Sequence, residues 1–198
     1  MLLEPVTLEG RLVRLEPLRR DHHAAFCAVG LDPDLWRWTA GHVDDAEGMR
    51  AYIERALARQ AEGSVLPFAT VERASGTVIG STRFAWFEPK DRRVEIGWTW
   101  IARRWQRTGI NVEAKVLMLR HAFETLRLNR VELMTDVLNA ASRRAILGIG
   151  ATEEGTLRRH MVTSRGRVRD TVLFSIVADE WPSVRARLES RLGAVPGR

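Results

Sequence analysis

Apolar residues recur along this chain with two different spacings, and the alternation between them predicts its elements. Over positions 8–18 apolar and polar residues alternate loosely (Leu12, Arg14, Glu16), as in a half-buried strand. Asp21 then stands as an N-cap for a short helix through Val29, which Asp32-Pro33-Asp34 breaks. A second helix starts at Asp44 or Asp45, carries Met49, Ile53 and Leu57 on one face, and ends at Gly63. Positions 65–72 and 77–86 read as strands joined by the turn Arg73-Ala74-Ser75-Gly76, and Pro89-Lys90-Asp91 turns the chain into a third strand over 94–101.

The spacing then changes to 3.6, with Val112, Val116, Leu119, Phe123 and Leu126 on one helical face. A strand at 130–136 follows, and its connection across that helix predicts parallel pairing with 94–101. Asn139 caps a helix running to about Leu147, a hairpin over 151–162 and 168–177 turns at Ser164-Arg165-Gly166, and a last amphipathic helix spans 179–192. Trp181 on that helix is read as a residue of either the core or a homodimer interface. The order predicts an α+β fold with a mixed, mostly antiparallel central sheet flanked by helices. One domain is expected over 1–198, with 193–198 a loose tail.

Composition narrows the function classes. With 45% hydrophobic and 28% charged residues and no apolar run of about 18, the chain predicts a protein without a membrane span, expected in the cytoplasm. One cysteine, Cys27, and five scattered histidines offer no zinc spacing, so no metal is expected. The net charge of +6 admits an RNA- or ribosome-associated protein as an alternative. The positive residues are spread along the chain, however, without a basic helix face, and nucleic acid is not the expected partner.

The most specific signal lies where the 94–101 strand leaves through Gln106-Arg107-Thr108-Gly109 into the next helix. A helix entered this way offers unpaired N–H groups and a positive dipole end, and a glycine lets the main chain approach a ligand closely. Arg103, Arg104 and Arg107 add positive charge, so the stretch predicts an anion site, most simply for a di- or polyphosphate. Neither G-x-x-x-x-G-K-[ST] nor G-x-G-x-x-G after a strand is present.

Gln106-Arg107-Thr108-Gly109-Ile110-Asn111 resembles the Q/R-x-x-G-x-G/A pyrophosphate loop of the GNAT acyltransferase superfamily, departing from it only at Asn111. Glu95-Ile96-Gly97 upstream and Asn139, Ser142 and Gly150-Ala151 downstream follow in the same order, and the chain is most similar to the RimJ/RimL-like branch. The resemblance implies a GNAT-like sheet splayed between the fourth and fifth strands, and acetyl-CoA as the cofactor. It implies that the pyrophosphate lies on Gln106 to Asn111. The pantetheine arm would then pair with the backbone of Trp98, Thr99, Trp100 and Ile101 and touch Asn139 and Ser142.

Acyl transfer to an amine needs a base, because only the unprotonated amine attacks. Glu95 is the candidate: its apolar neighbours predict a raised pKa, and strand alternation places it with Gly97 and Thr99, opposite Val94, Ile96, Trp98 and Trp100. A salt bridge to Arg92 or Arg93 is the alternative reading of the same carboxylate. The tyrosine acid of many family members has no counterpart, since the only tyrosine is Tyr52 on the second helix. The resemblance puts Ser142 near the sulfur in its stead. Trp36, Trp38, Arg83, Trp86 and His160 are the candidates for the acceptor pocket, with Arg83 as a holder of a carboxylate. The resulting expectation is an N-acetyltransferase acting on a protein N-terminus or a small primary amine. A non-catalytic acyl-CoA-binding or sensor module is the other reading.

Overall fold

The computed structural model describes residues 3–193. Its strands are β1 (Leu8–Glu9), β2 (Val13–Pro17), β3 (Val65–Glu72), β4 (Val78–Glu88), β5 (Arg93–Ile101), β6 (Arg130–Asp136), β7 (Thr152–Val162) and β8 (Val168–Val177). The helices are α1 (His23–Gly30), α2 (Pro33–Trp36), α3 (Ala46–Ala61), α4 (Ile110–Arg120), α5 (Ala140–Gly148) and α6 (Trp181–Gly193). All eight strands form one mixed sheet in the order β1-β2-β3-β4-β5-β6-β8-β7, antiparallel except where β5 meets β6. That parallel pair is the predicted one. The loose tail predicted at 193–198 lies, beyond Gly193, outside the described residues.

Helices cover both faces. Under α4 and α6, Met118, Leu119, Val184 and Leu188 pack in one core with Phe68, Phe84, Val94 and Val131 of the sheet. Under α1 and α3, Phe26, Met49 and Ile53 close on Ala69 and Trp100. Burial of each such large apolar side chain contributes about 1.5–3 kcal/mol, so the inner strands are held from both sides. Trp181 resolves in favour of the core: it is 5% exposed, stacks on Phe123 at 5.6 Å, and donates its indole N–H to Glu124 at 2.8 Å.

Local sequence rules hold at most helix ends. Asp45 caps α3 by accepting from the Gly48 N–H, Asn139 caps α5 by accepting from the Ser142 N–H, and Gly63 takes φ +76° just past α3. Two expectations need correction, and one signal does more than predicted. The first strand is interrupted at residues 10–12, because Glu113 of α4 draws the backbone N–H groups of Arg11, Leu12 and Val13 onto its carboxylate. Asp21 is not a cap; it lies inside a short 3-10 turn (Arg20–His22) at whose start the Arg19 N–H donates to His22 Nδ1. The Asp32-Pro33-Asp34 breaker itself starts α2, with Asp32 accepting from the Asp34 N–H and Pro33 at the first position.

Candidate active site

β5 and β6 pair over three residues only, Arg93 with Arg130, Val94 with Val131 and Glu95 with Glu132. Beyond them the strands diverge, β5 staying with β4 and β6 with β8, and a cleft opens whose apex is Glu95. The first strand being split in two, this is the splay expected between the fourth and fifth strands. A bulge in β5 helps to part them: Ser81 pairs with Trp100 and Arg83 with Gly97, so that Thr82 of β4 alone stands against Trp98 and Thr99 of β5. Trp98 sits in it at φ +49°. An extra residue bends its strand and adds local twist.

The bulge also changes which way β5 points its side chains. Strict alternation predicts Trp98 and Trp100 on the face opposite Glu95, with Thr99 beside Glu95. Instead Trp98 and Trp100 turn toward Tyr52 of α3, Trp100 donating to its hydroxyl at 3.3 Å. Thr99 faces α4, where its hydroxyl accepts from Lys115 Nζ at 2.7 Å. One inserted residue exchanges the two faces for the rest of the strand.

Glu95 is 6% exposed and makes no hydrogen bond or ion pair among the described residues, which sets aside the salt bridge to Arg92 or Arg93. A methyl group on Gly97 would collide with its carboxylate, so the side chain lies back over that glycine. Burial, reinforced by the facing Glu132 and opposed by Arg169, pushes its pKa up to about 7. Glu132 itself is held by Arg130 at 2.8 Å and Arg93 at 3.4 Å. The result is a carboxyl group that gains and loses a proton near neutrality, at the head of an open cleft.

The mouth of the cleft is the loop between β5 and α4. Arg107 at φ +62° and Gly109 at φ +89° turn the chain into α4, whose first turn has no side-chain cap. The Glu113 N–H is the first to find a helical partner, Gly109 O at 3.0 Å, leaving those of Ile110, Asn111 and Val112 for a ligand. Gln106 ties the loop to the strand end by donating to Ile101 O at 2.8 Å, and Thr108 donates to Trp105 O at 2.7 Å. Arg103 does not serve the anion as the sequence predicts, because Asp32 and Asp34 neutralise it. Arg107 has no ion pair among the described residues, and Arg104 only stacks on Trp105. On the β6 side, the α5 cap engages the Ser142 N–H, while its hydroxyl makes no hydrogen bond among the described residues.

A family model for the acetyltransferase (GNAT) domain matches residues 12–152. The chain belongs to the GNAT acetyltransferase family. It is similar to a T. thermophilus protein assigned as an acetyltransferase, with 37% identity and a TM-score of 0.89 over 97% of this chain and all of that one. It is also similar to Mycobacterium smegmatis RimJ in complex with CoA-disulfide, with 26% identity and a TM-score of 0.81 over 96% and 95% of the two chains. YdaF of Bacillus subtilis, assigned as a ribosomal N-acetyltransferase, is 34% identical over 106 residues, 54% of this chain and 57% of its own. These neighbours place this acetyltransferase on the RimJ-like branch.

The predicted acceptor residues of the acetyltransferase do not form one group. Arg83 and Trp86 share the Glu95 face of the sheet with Trp98. Trp36 is a core residue, 6% exposed, tilted against Trp100 and donating its indole N–H to Gly30 O. Trp38 lies under Arg37 and Arg167, beside the β7–β8 turn. His160 stands on the exposed outer strand β7. Sequence reasoning gave no site role to Tyr52, Lys115 or Arg169, whose polar atoms meet Trp100 Nε1, the Thr99 hydroxyl and the Thr171 hydroxyl. Lys115 is buried below the loop, and burial alone lowers its pKa to about 7. Many of the arginines are already paired with acids, such as Arg20 with Glu54 and Arg130 with Glu154, so the basic surface is less free than its count implies. Among the described residues no helix is long and apolar enough to cross a membrane, and no cluster of three metal-ligating side chains occurs.

Proposed function

We propose that this acetyltransferase moves an acetyl group from acetyl-CoA directly to a primary amine, on a protein N-terminus or a small molecule, with Glu95 as the base. The observation that carries the reading is the cleft itself. A buried, unpaired carboxylate stands at its apex, an uncapped helix N-terminus opens at its mouth, and between them β5 has no partner strand on its β6 side. The residues fit the donor: the N–H groups at Ile110 to Val112 with Arg107 and Gly109 suit its pyrophosphate. The free edge of Trp98 to Ile101 suits the amides of its arm. Ser142 and Asn139 line the opposite wall.

The donor supplies an activated acetyl thioester with a thiol as leaving group. Glu95, titrating near 7, accepts a proton from the incoming ammonium, whose own pKa is about 7.7–8 for an α-amino group. That match removes the need for a strong base. A thiol leaves readily, so the hydroxyl of Ser142 needs only to donate a hydrogen bond. The ribosomal N-acetyltransferase assignment of YdaF supports a protein as the acceptor.

Calorimetric titration of acetyl-CoA tests the site. Wild-type protein is expected to bind in the micromolar range, and Arg107→Glu and Gly109→Trp, each shown to be folded by circular dichroism, are expected to bind at least tenfold more weakly. Absence of binding to folded wild-type protein freed of copurified CoA overturns the proposal.

A further inference from the structure

Arg83 lies in the middle of β4 and is 4% exposed. Its guanidinium stacks on the ring of Tyr52 at 4.5 Å and approaches Trp98 at 5.8 Å. No carboxylate pairs with it among the described residues, and its Nε and Nη2 are buried without a hydrogen-bond partner. A buried charge without a counter-charge is among the costliest arrangements in a protein, and such groups elsewhere in chains are paired. The two unpaired nitrogens define the side-on edge of the guanidinium. Arg20 uses that same edge to hold Glu54 here, from Nε at 2.8 Å and Nη2 at 3.0 Å. A carboxylate is the ligand whose two oxygens match it.

The position of that edge connects it with the chemistry. Arg83 is directly opposite Gly97 in the β4–β5 register, and the Glu95 side chain lies back over Gly97. Base and cation therefore stand on one face as diagonal neighbours, two residues apart in the register of adjoining strands. Two bulges frame the place. Trp98 occupies one at φ +49°, Trp86 the other at φ +50°, and their rings meet at 6.5 Å with Trp86 55% exposed. Left-handed backbone at two bulky residues is strained, and strain of this kind collects at ligand sites. Arg83 is thus a cation between the rings of Tyr52 and Trp98, with the exposed Trp86 beside Trp98.

We propose that the acceptor carries a carboxylate within about one amino-acid length of its reactive amine, and that Arg83 holds that carboxylate through Nε and Nη2. This rests on the reading of Glu95 as the base for the amine. Two sources present this chemistry, a free amino acid and a peptide whose first residue is acidic. Arg83 is thus a specificity-determining residue, and the tryptophan pair supplies the dry wall that makes a single charge pair selective.

The test uses acceptors matched except for the carboxylate: Glu-Ala-amide against Gln-Ala-amide for the peptide source, alanine against alaninamide at equal free-amine concentration for the other. Thiol release from acetyl-CoA gives kcat/KM, and calorimetry on the CoA-saturated protein gives acceptor affinity without turnover. In wild-type protein the carboxylate member of at least one pair is expected to exceed its amide in kcat/KM or affinity by tenfold or more. Arg83→Gln is expected to erase that preference, chiefly through KM, and Arg83→Lys to keep part of it. The pair that shows the preference identifies the source. Equal handling of both members of both pairs, in rate and in affinity, overturns the Arg83 proposal while acetyl transfer stands. Failure of acetyl-CoA to bind at all overturns the reading of the cleft instead. The wild-type comparison decides the matter even if an Arg83 variant does not fold.

Discussion

Glu113 on α4 and Glu95 on β5 are buried to nearly the same depth, 7% and 6% exposed. Glu113 reaches from α4 to the β1–β2 turn and accepts three backbone N–H groups, from Arg11 at 3.0 Å, Leu12 at 2.6 Å and Val13 at 2.8 Å. Even Gly10 is shaped around it, since a methyl group there would strike its carboxylate. Among the described residues nothing donates to Glu95, which faces a second glutamate across the parallel register and has its pKa pushed up by burial. Depth alone therefore does not tell the structural carboxylate from the proposed base. What tells them apart is whether the hydrogen bonds that favour the charged form are present.

Four measurements test that contrast. The largest effect belongs to Glu95→Gln, expected to lower kcat by about 10²–10⁴-fold, the usual worth of a general base. The fold should not weaken. A Glu95→Gln protein that keeps wild-type kcat across the pH range would remove the carboxylate from the mechanism. Next comes Glu113→Ala, which strands three inward N–H groups and should cost on the order of 4 kcal/mol in denaturant unfolding. Its turnover per folded molecule should change little. Loss of kcat with unaltered stability would reverse the roles assigned to the two residues.

The smallest effect concerns pH. Glu95 titrates at about 7 in the folded protein against the ordinary 4.5 of a glutamate side chain, so between those values the folded state binds the extra proton. Stability from this group is complete below about pH 4.5 and is lost as pH rises toward 7. The Glu95→Gln variant should therefore gain on wild type by about 3 kcal/mol between pH 4 and pH 8. Glu132→Gln should move the acid limb of log kcat/KM to lower pH, by less than the whole displacement from 4.5, because burial is the larger cause. An unmoved limb, with transfer intact, would mean that the limb does not report Glu95.

Much of the site is legible before folding. The loop Gln106 to Gly109, the Asn139 cap and the order of strands are recorded in runs of a few residues, and all appear in the structure where the pattern puts them. Glu95 and Arg83 stand out as lone charges within apolar stretches. Lys115 is one as well, but on a helix its spacing does not separate it from a surface lysine. Alternation misassigns the faces of β5 because it assumes an uninterrupted ladder, and the bulge at Trp98 depends on pairing with β4. It cannot anticipate the neutralised Arg103 for a related reason: its partners Asp32 and Asp34 lie about seventy residues away in the chain.

Local sequence dictates the longer helices, the Asp45 and Asn139 caps, the hairpin turns and the glycine-led entry to α4, since these follow from side-chain spacing and from hydrogen bonds between near neighbours. Tertiary structure alone decided which charges are paired and which are exposed to a ligand. It set Glu132 opposite Glu95, buried Arg83 between Tyr52 and Trp98 without a counter-ion, and gave Glu113 the three N–H groups that Glu95 lacks. Proton affinity and charge pairing depend on burial and on distances between residues far apart in the chain, and those quantities exist only once the sheet has closed.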